Sequence, residues 1–150
     1  MFGVHGAIAA MLAIIATLAG GGSHLADEPS LTARLTALST HGQRPVRVRL
    51  HLTMSPGWHI AAEQPGTAGL ATRVTWFPPP GWRLAAVRWP RPTREIDGRD
   101  TLFTYAGALA LDAEFQAPAT DGRIPLRVVV AYGLCREICV PGRVAVELTP

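Results

Sequence analysis

Cys135 and Cys139 are the only cysteines in a chain of 150 residues. Two thiols so placed can close a structural bridge, exchange disulfides with another protein, or hold a soft metal ion. As a bridge the pair does little. The chain-entropy relation gives so small a ring only ~2 kcal/mol, against more than ~4 kcal/mol for one closing a hundred residues. The ring also spans a turn that its flanking segments would hold without it. Arg136 beside Cys135, and Arg143 beyond Cys139, favour a thiolate, and Glu137 opposes them.

Other residues that invite chemistry form no second constellation. Cys-x-x-x-Cys-x-Pro, from Cys135 to Pro141, also resembles the copper-binding motif of the Sco family, with His41, His51 and His59 as available third ligands, although that family uses a thioredoxin fold. Glu63, Asp97 and Asp100 do not make a carboxylate pair, and no serine lies in a nucleophile elbow. No glycine-rich phosphate loop is present, and no cofactor is called for. Trp58, Trp76, Trp82 and Trp89 are expected to pack against a core, and His59 to be structural.

The elements that must position the thiols read as strands. The mostly apolar run Leu126 to Ala131 leads toward Cys135, and Arg143 to Leu148 alternates after Cys139, which predicts strand, tight connection, strand with a thiol at each lip of the turn. Upstream, Val46, Val48, Leu50, Leu52 and Met54 alternate with Arg47, Arg49, His51 and Thr53, the pattern of a half-buried strand. Leu31 to Leu38, Thr72 to Phe77, Trp82 to Trp89 and Leu109 to Phe115 predict further strands. Trp58 to Leu70 lacks clean periodicity, and Pro90 to Asp100 predicts a loop. About seven short strands separated by turns, with no helix-period stretch beyond the leader, predict an all-β antiparallel sandwich. A thioredoxin fold is disfavoured, because such folds set their cysteine pair at the start of a helix with much of the domain still to follow.

The leader is separate. Gly6 to Ala19 is an uncharged apolar run, followed by Gly20-Gly21-Gly22-Ser23 and the acidic Asp27-Glu28. Residues 1–26 are therefore expected to be an export signal peptide or, failing cleavage, an N-terminal anchor helix and the only membrane contact. Export would carry the thiols to an oxidising compartment where a disulfide persists. The formal net charge of +3 comes from dispersed arginines, with no basic cluster interleaved with aromatics, so no nucleic-acid partner is expected.

In order along the chain, Pro56-Gly57-Trp58-His59, Glu63 to Leu70, Trp89-Pro90-Arg91-Pro92, Tyr105-Ala106-Gly107 and Cys135-x-x-x-Cys139-Val140-Pro141 resemble the N-terminal periplasmic domain of the DsbD/ScsB thiol:disulfide interchange proteins. The resemblance covers residues 31–150, and the cysteine spacing is that of the ScsB-like branch. It implies an immunoglobulin-like sandwich in the periplasm whose cysteines cycle between dithiol and disulfide, a protein-disulfide reductase module. Cys139 would form mixed disulfides and Cys135 resolve them. Electrons would come from a thioredoxin-like or membrane electron-donor protein and pass to periplasmic disulfide-bearing proteins. A capping loop is implied over the pair, with Asp100, Phe103 and Tyr105 in the corresponding part of this chain. The competing readings are a Cu(I)-binding protein and a sandwich adaptor with a purely structural disulfide.

Overall fold

A computed structural model of the protein describes residues 28–39, 42–118 and 126–148, and the leader, with its expected helix, lies outside them, as does His41. The described residues form ten strands and no helix: β1 (Leu31–Ala37), β2 (Val46–Met54), β3 (His59–Gly66), β4 (Arg73–Phe77), β5 (Arg83–Arg88), β6 (Thr93–Asp97), β7 (Asp100–Ala106), β8 (Ala108–Gln116), β9 (Arg127–Cys135) and β10 (Cys139–Glu147). They pair antiparallel in two sheets. The smaller has the order β1-β2-β8-β5. The larger runs β10-β9-β3-β7-β6, with β4 also paired to β9. This is an antiparallel sandwich of immunoglobulin-like type.

The alternation on β2 decides which face is inside. Val48, Leu50 and Leu52 are fully buried, and Leu111 and Phe115 of the adjoining β8 join them. From the opposite sheet come Ile60, Val128, Val130 and Leu134, also in the core. Outward on β2, Arg49 stands opposite Asp112 of β8 and donates to both carboxylate oxygens, at 2.6 and 2.8 Å. The tryptophans pack as expected. Trp76 meets Phe115 edge-on across the two sheets at 5.8 Å, and Trp82 lies 6.0 Å from the same ring.

Two segments differ from the sequence reading. Pro90 to Asp100 is only partly a loop, because Thr93–Asp97 is a strand paired to β7. All five of its residues are exposed, so an edge strand wet on both faces leaves no hydrophobic period to detect. The aperiodic stretch after Trp58 is β3, whose register with β7 shifts between Ala61 and Gly66 and so breaks the alternation. At the end of the shift Gly66 has φ +94°, and a Cβ there would lie 2.1 Å from the carbonyl oxygen of Thr101, so only glycine fits.

Candidate redox site at the β9–β10 hairpin

The apolar residues that bury β9 also aim its end. Val128, Val130 and Leu134 face the core, so by the two-residue period Gly133 and Cys135 face outward. Strand β10 pairs with β9 without a slip from Glu147↔Arg127 to Cys139↔Cys135, which makes the cysteines the last cross-strand pair before the turn. They are joined as a disulfide with Cα atoms 4.0 Å apart. Arg136, Glu137 and Ile138 form the turn, closed by the Arg136 amide donating to the Ile138 carbonyl at 3.0 Å. The Arg136 guanidinium lies 5.0 Å over the Trp58 ring, which ties the turn to the residue preceding β3.

The two sulfurs sit in unlike surroundings. Cys135 is 8% exposed and its Sγ lies 3.6 Å from the Gly133 carbonyl oxygen, whereas Cys139 is exposed. A side chain at Gly133 would meet Leu70 at 3.0 Å, so Leu70 lies on this outer face, one step along the strand from Cys135. Two apolar side chains stand exposed on and beside this hairpin, Ile138 of the turn at 69% and Leu70 at 51%.

On the other side of β9, His59 of β3 is in register with Cys135, and Ala106 of β7 is in register with His59. Residues directly opposite in antiparallel strands share a face, so Cys135, His59 and Ala106 form one outward row. The next row, Leu134, Ile60 and Tyr105, faces the core. Tyr105 and, two residues away, Phe103 therefore lie on the face opposite to Cys135. Tyr105 stacks on Trp89 at 6.0 Å and donates to the Pro90 carbonyl at 2.7 Å. Burial, and secondarily the charge of Glu63, raise its phenol pKa. With Phe103, Trp89, Pro90 and Glu63 it lines an open groove of about 300 Å³. Asp100 lies at the far end of the sheet and accepts from Thr67 Oγ1 at 3.1 Å. The structure thus gathers Phe103 and Tyr105 with one another, on the face of the sheet opposite to Cys135.

His59, Leu70 and the Trp58–Arg136 contact are the neighbours that sequence reasoning did not attach to the cysteines. Trp58 and His59 stand side by side in the chain, but nothing in their spacing reveals that β3 runs next to β9. Among the described residues, no group of three His, Cys, Asp or Glu side chains is placed to hold a metal ion.

A family model described as the N-terminal region of the thiol:disulfide interchange protein DsbD matches residues 28–150. Among solved structures, the N-terminal periplasmic domain of ScsB from Proteus mirabilis is similar at 20% identity and a TM-score of 0.58, covering 79% of this chain and 45% of that one. The reduced N-terminal domain of DsbD from Neisseria meningitidis is similar at 13% identity and a TM-score of 0.50, over 79% of this chain and 84% of that one. A complex between the DsbD N-terminal and PilB N-terminal domains of Neisseria meningitidis matches at 12% identity and a TM-score of 0.50, over 75% and 80% of the two chains. The chain spans less than half the length of the ScsB structure. No curated protein sequence matches it.

Proposed function

The chain belongs to the family of DsbD N-terminal domains, and from that premise we propose that it is a periplasmic thiol–disulfide exchange module working through Cys135 and Cys139. The observation that carries the reading is the unequal exposure of two bonded sulfurs on one hairpin. In the dithiol form, a thiolate at Cys139 attacks a partner disulfide, forms a mixed disulfide and releases one partner sulfur as thiolate. Cys135 then attacks the Cys139 sulfur, closes the ring and releases the second partner sulfur. Two electrons pass to the partner, which is reduced to a dithiol while this domain becomes the disulfide. A dithiol donor reverses the sequence and restores the starting state. The sheltered sulfur is suited to resolve, since nothing large can reach it except through Cys139.

The donor in this scheme is a thioredoxin-like or membrane electron-transfer protein, and the acceptors are periplasmic proteins with disulfides. The exposed apolar side chains of Leu70 and Ile138 give such a partner a surface to dock on while its own sulfurs approach Cys139. The Neisseria complex with the PilB N-terminal domain supports a partner protein binding to a domain of this fold.

Cys135→Ser is expected to trap a partner as a stable mixed disulfide on Cys139, visible as a reducible band, and Cys139→Ser to trap nothing. Absence of trapping by either variant, together with a Cys135–Cys139 reduction potential below about −300 mV, would mark the bridge as structural.

A further inference from the structure

We propose that His59 is the proton-transfer residue of the resolving step: its imidazole takes the proton from the Cys135 thiol as that sulfur attacks Cys139, and returns it to the departing partner sulfur. The inference rests on the exchange reading above and adds a residue to it. Cys135 is 8% exposed with a carbonyl oxygen 3.6 Å from its sulfur, and only a thiolate attacks a disulfide, so a thiol at this sheltered position must give up its proton to react. The step therefore needs a nearby acceptor that does not depend on bulk water.

The register supplies one. His59 is the direct cross-strand neighbour of Cys135, and such pairs place their Cβ atoms about 4.5–5.5 Å apart on a common face. That separation brings an imidazole nitrogen to a thiol directly or through one water. The other neighbours on this face cannot serve. Ala106 from β7, Ala61 further along β3, Gly133 of β9 and Leu70 above it carry no titratable group. Of the charged groups, Glu95 of β6 accepts from Thr104 Oγ1 at 2.8 Å, and Arg136 of the turn stacks on Trp58. Glu137 belongs to the exposed turn and is not one of the residues paired between β3 and β9.

The atoms balance without a further reagent. The proton leaves Cys135 Sγ for the imidazole, a new S–S bond forms between Cys135 and Cys139, and the bond from Cys139 to the partner sulfur breaks. The leaving thiolate collects the proton, and His59 returns to its neutral form.

The test uses the reduced full chain and the aromatic disulfide DTNB. Attack by Cys139 releases one coloured thiolate, and ring closure by Cys135 releases a second in a separate phase. His59→Gln is expected to slow the second phase about tenfold or more at neutral pH and to remove the inflection in its pH profile, leaving the first phase unchanged. In His59→Ala, imidazole added to the buffer is expected to restore the second phase. An unchanged second phase and pH profile in a folded variant overturns the inference, as does a slow second phase that imidazole does not rescue. If His59→Gln does not fold, His59→Ala decides by the same comparison. Lack of a second phase in the native protein would instead count against the exchange reading itself.

Discussion

The hairpins β9–β10 and β6–β7 flank the same strand, β3, in one sheet, but β3 sets them to different work. His59 at its start is in register with Cys135, whereas Gly66 at its end is in register with Leu102. The two turns consequently lie at opposite ends of β3, separated by about 20 Å at ~3.3 Å per residue. Parity divides them again, because Cys135 belongs to the outer face and Phe103 and Tyr105 to the inner one. One hairpin carries the disulfide on the outer face, and the other sets Tyr105 against Trp89 on the inner one. Aromatic residues grouped with a reactive pair in a sequence pattern need not share its face, since the two-residue period of a strand sets Tyr105, one row from Cys135, on the opposite side of the sheet.

The sharpest way to break this contrast is to substitute one residue from each hairpin. Cys139→Ser is expected to abolish exchange with any disulfide partner while lowering stability by no more than ~2 kcal/mol, the contribution of so short a ring. Tyr105→Ala is expected to do the reverse. Loss of a buried ring and of its hydrogen bond to Pro90 costs about 3 kcal/mol or more in urea unfolding, and the folded fraction should exchange at the native rate. A Tyr105→Ala protein of native stability but impaired exchange would place the aromatic cluster at the redox site after all.

A smaller effect sharpens the docking half of the comparison. Ile138→Glu is expected to raise the KM for a protein partner about tenfold, equivalent to ~1.4 kcal/mol, by putting a charge into an apolar contact. Its reaction with DTNB should stay close to native, because that reagent needs no docking surface. A proportional loss with both reagents would remove Ile138 from the partner interface.

The smallest effect lies on neither hairpin and serves as a control. The Asp112 carboxyl is held below its ordinary range, first by the hydrogen bond from Arg49 and then, against burial, by the charges of Arg49, Arg88 and His51. Because the folded pKa is the lower one, the stabilisation is complete above the unfolded value and is lost as pH falls through the folded value. The pair is about one-third exposed, so Asp112→Asn is expected to cost at most about 1 kcal/mol at neutral pH. That difference from the native protein should vanish in strongly acidic urea melts, with exchange unaffected throughout.

Legibility in the sequence followed burial. The alternation of Val46 to Met54 and of Leu109 to Phe115 declared both strands and their inner faces, since each lies between a wet face and a core. Strand β6 reads as loop in the sequence because an edge strand held by its backbone ladder imposes no pattern on its side chains. Strand β3 was obscured by its register shift. The pairing of β3 with β7 sets Tyr105 on the inner face of the sheet, one row from Cys135, a relation that its distance along the chain does not state.

By itself the sequence determined the two thiols, the spacing that sets them on either side of one turn, and the in-or-out order along the strands with clean periodicity, all of which are local properties of a chain. The folded arrangement is what shelters Cys135 and leaves Cys139 open, sets His59 in register with Cys135, and puts the aromatic cluster on the other face of the sheet. Those outcomes depend on which strands become neighbours and in what register, and a single chain of residues does not record that choice.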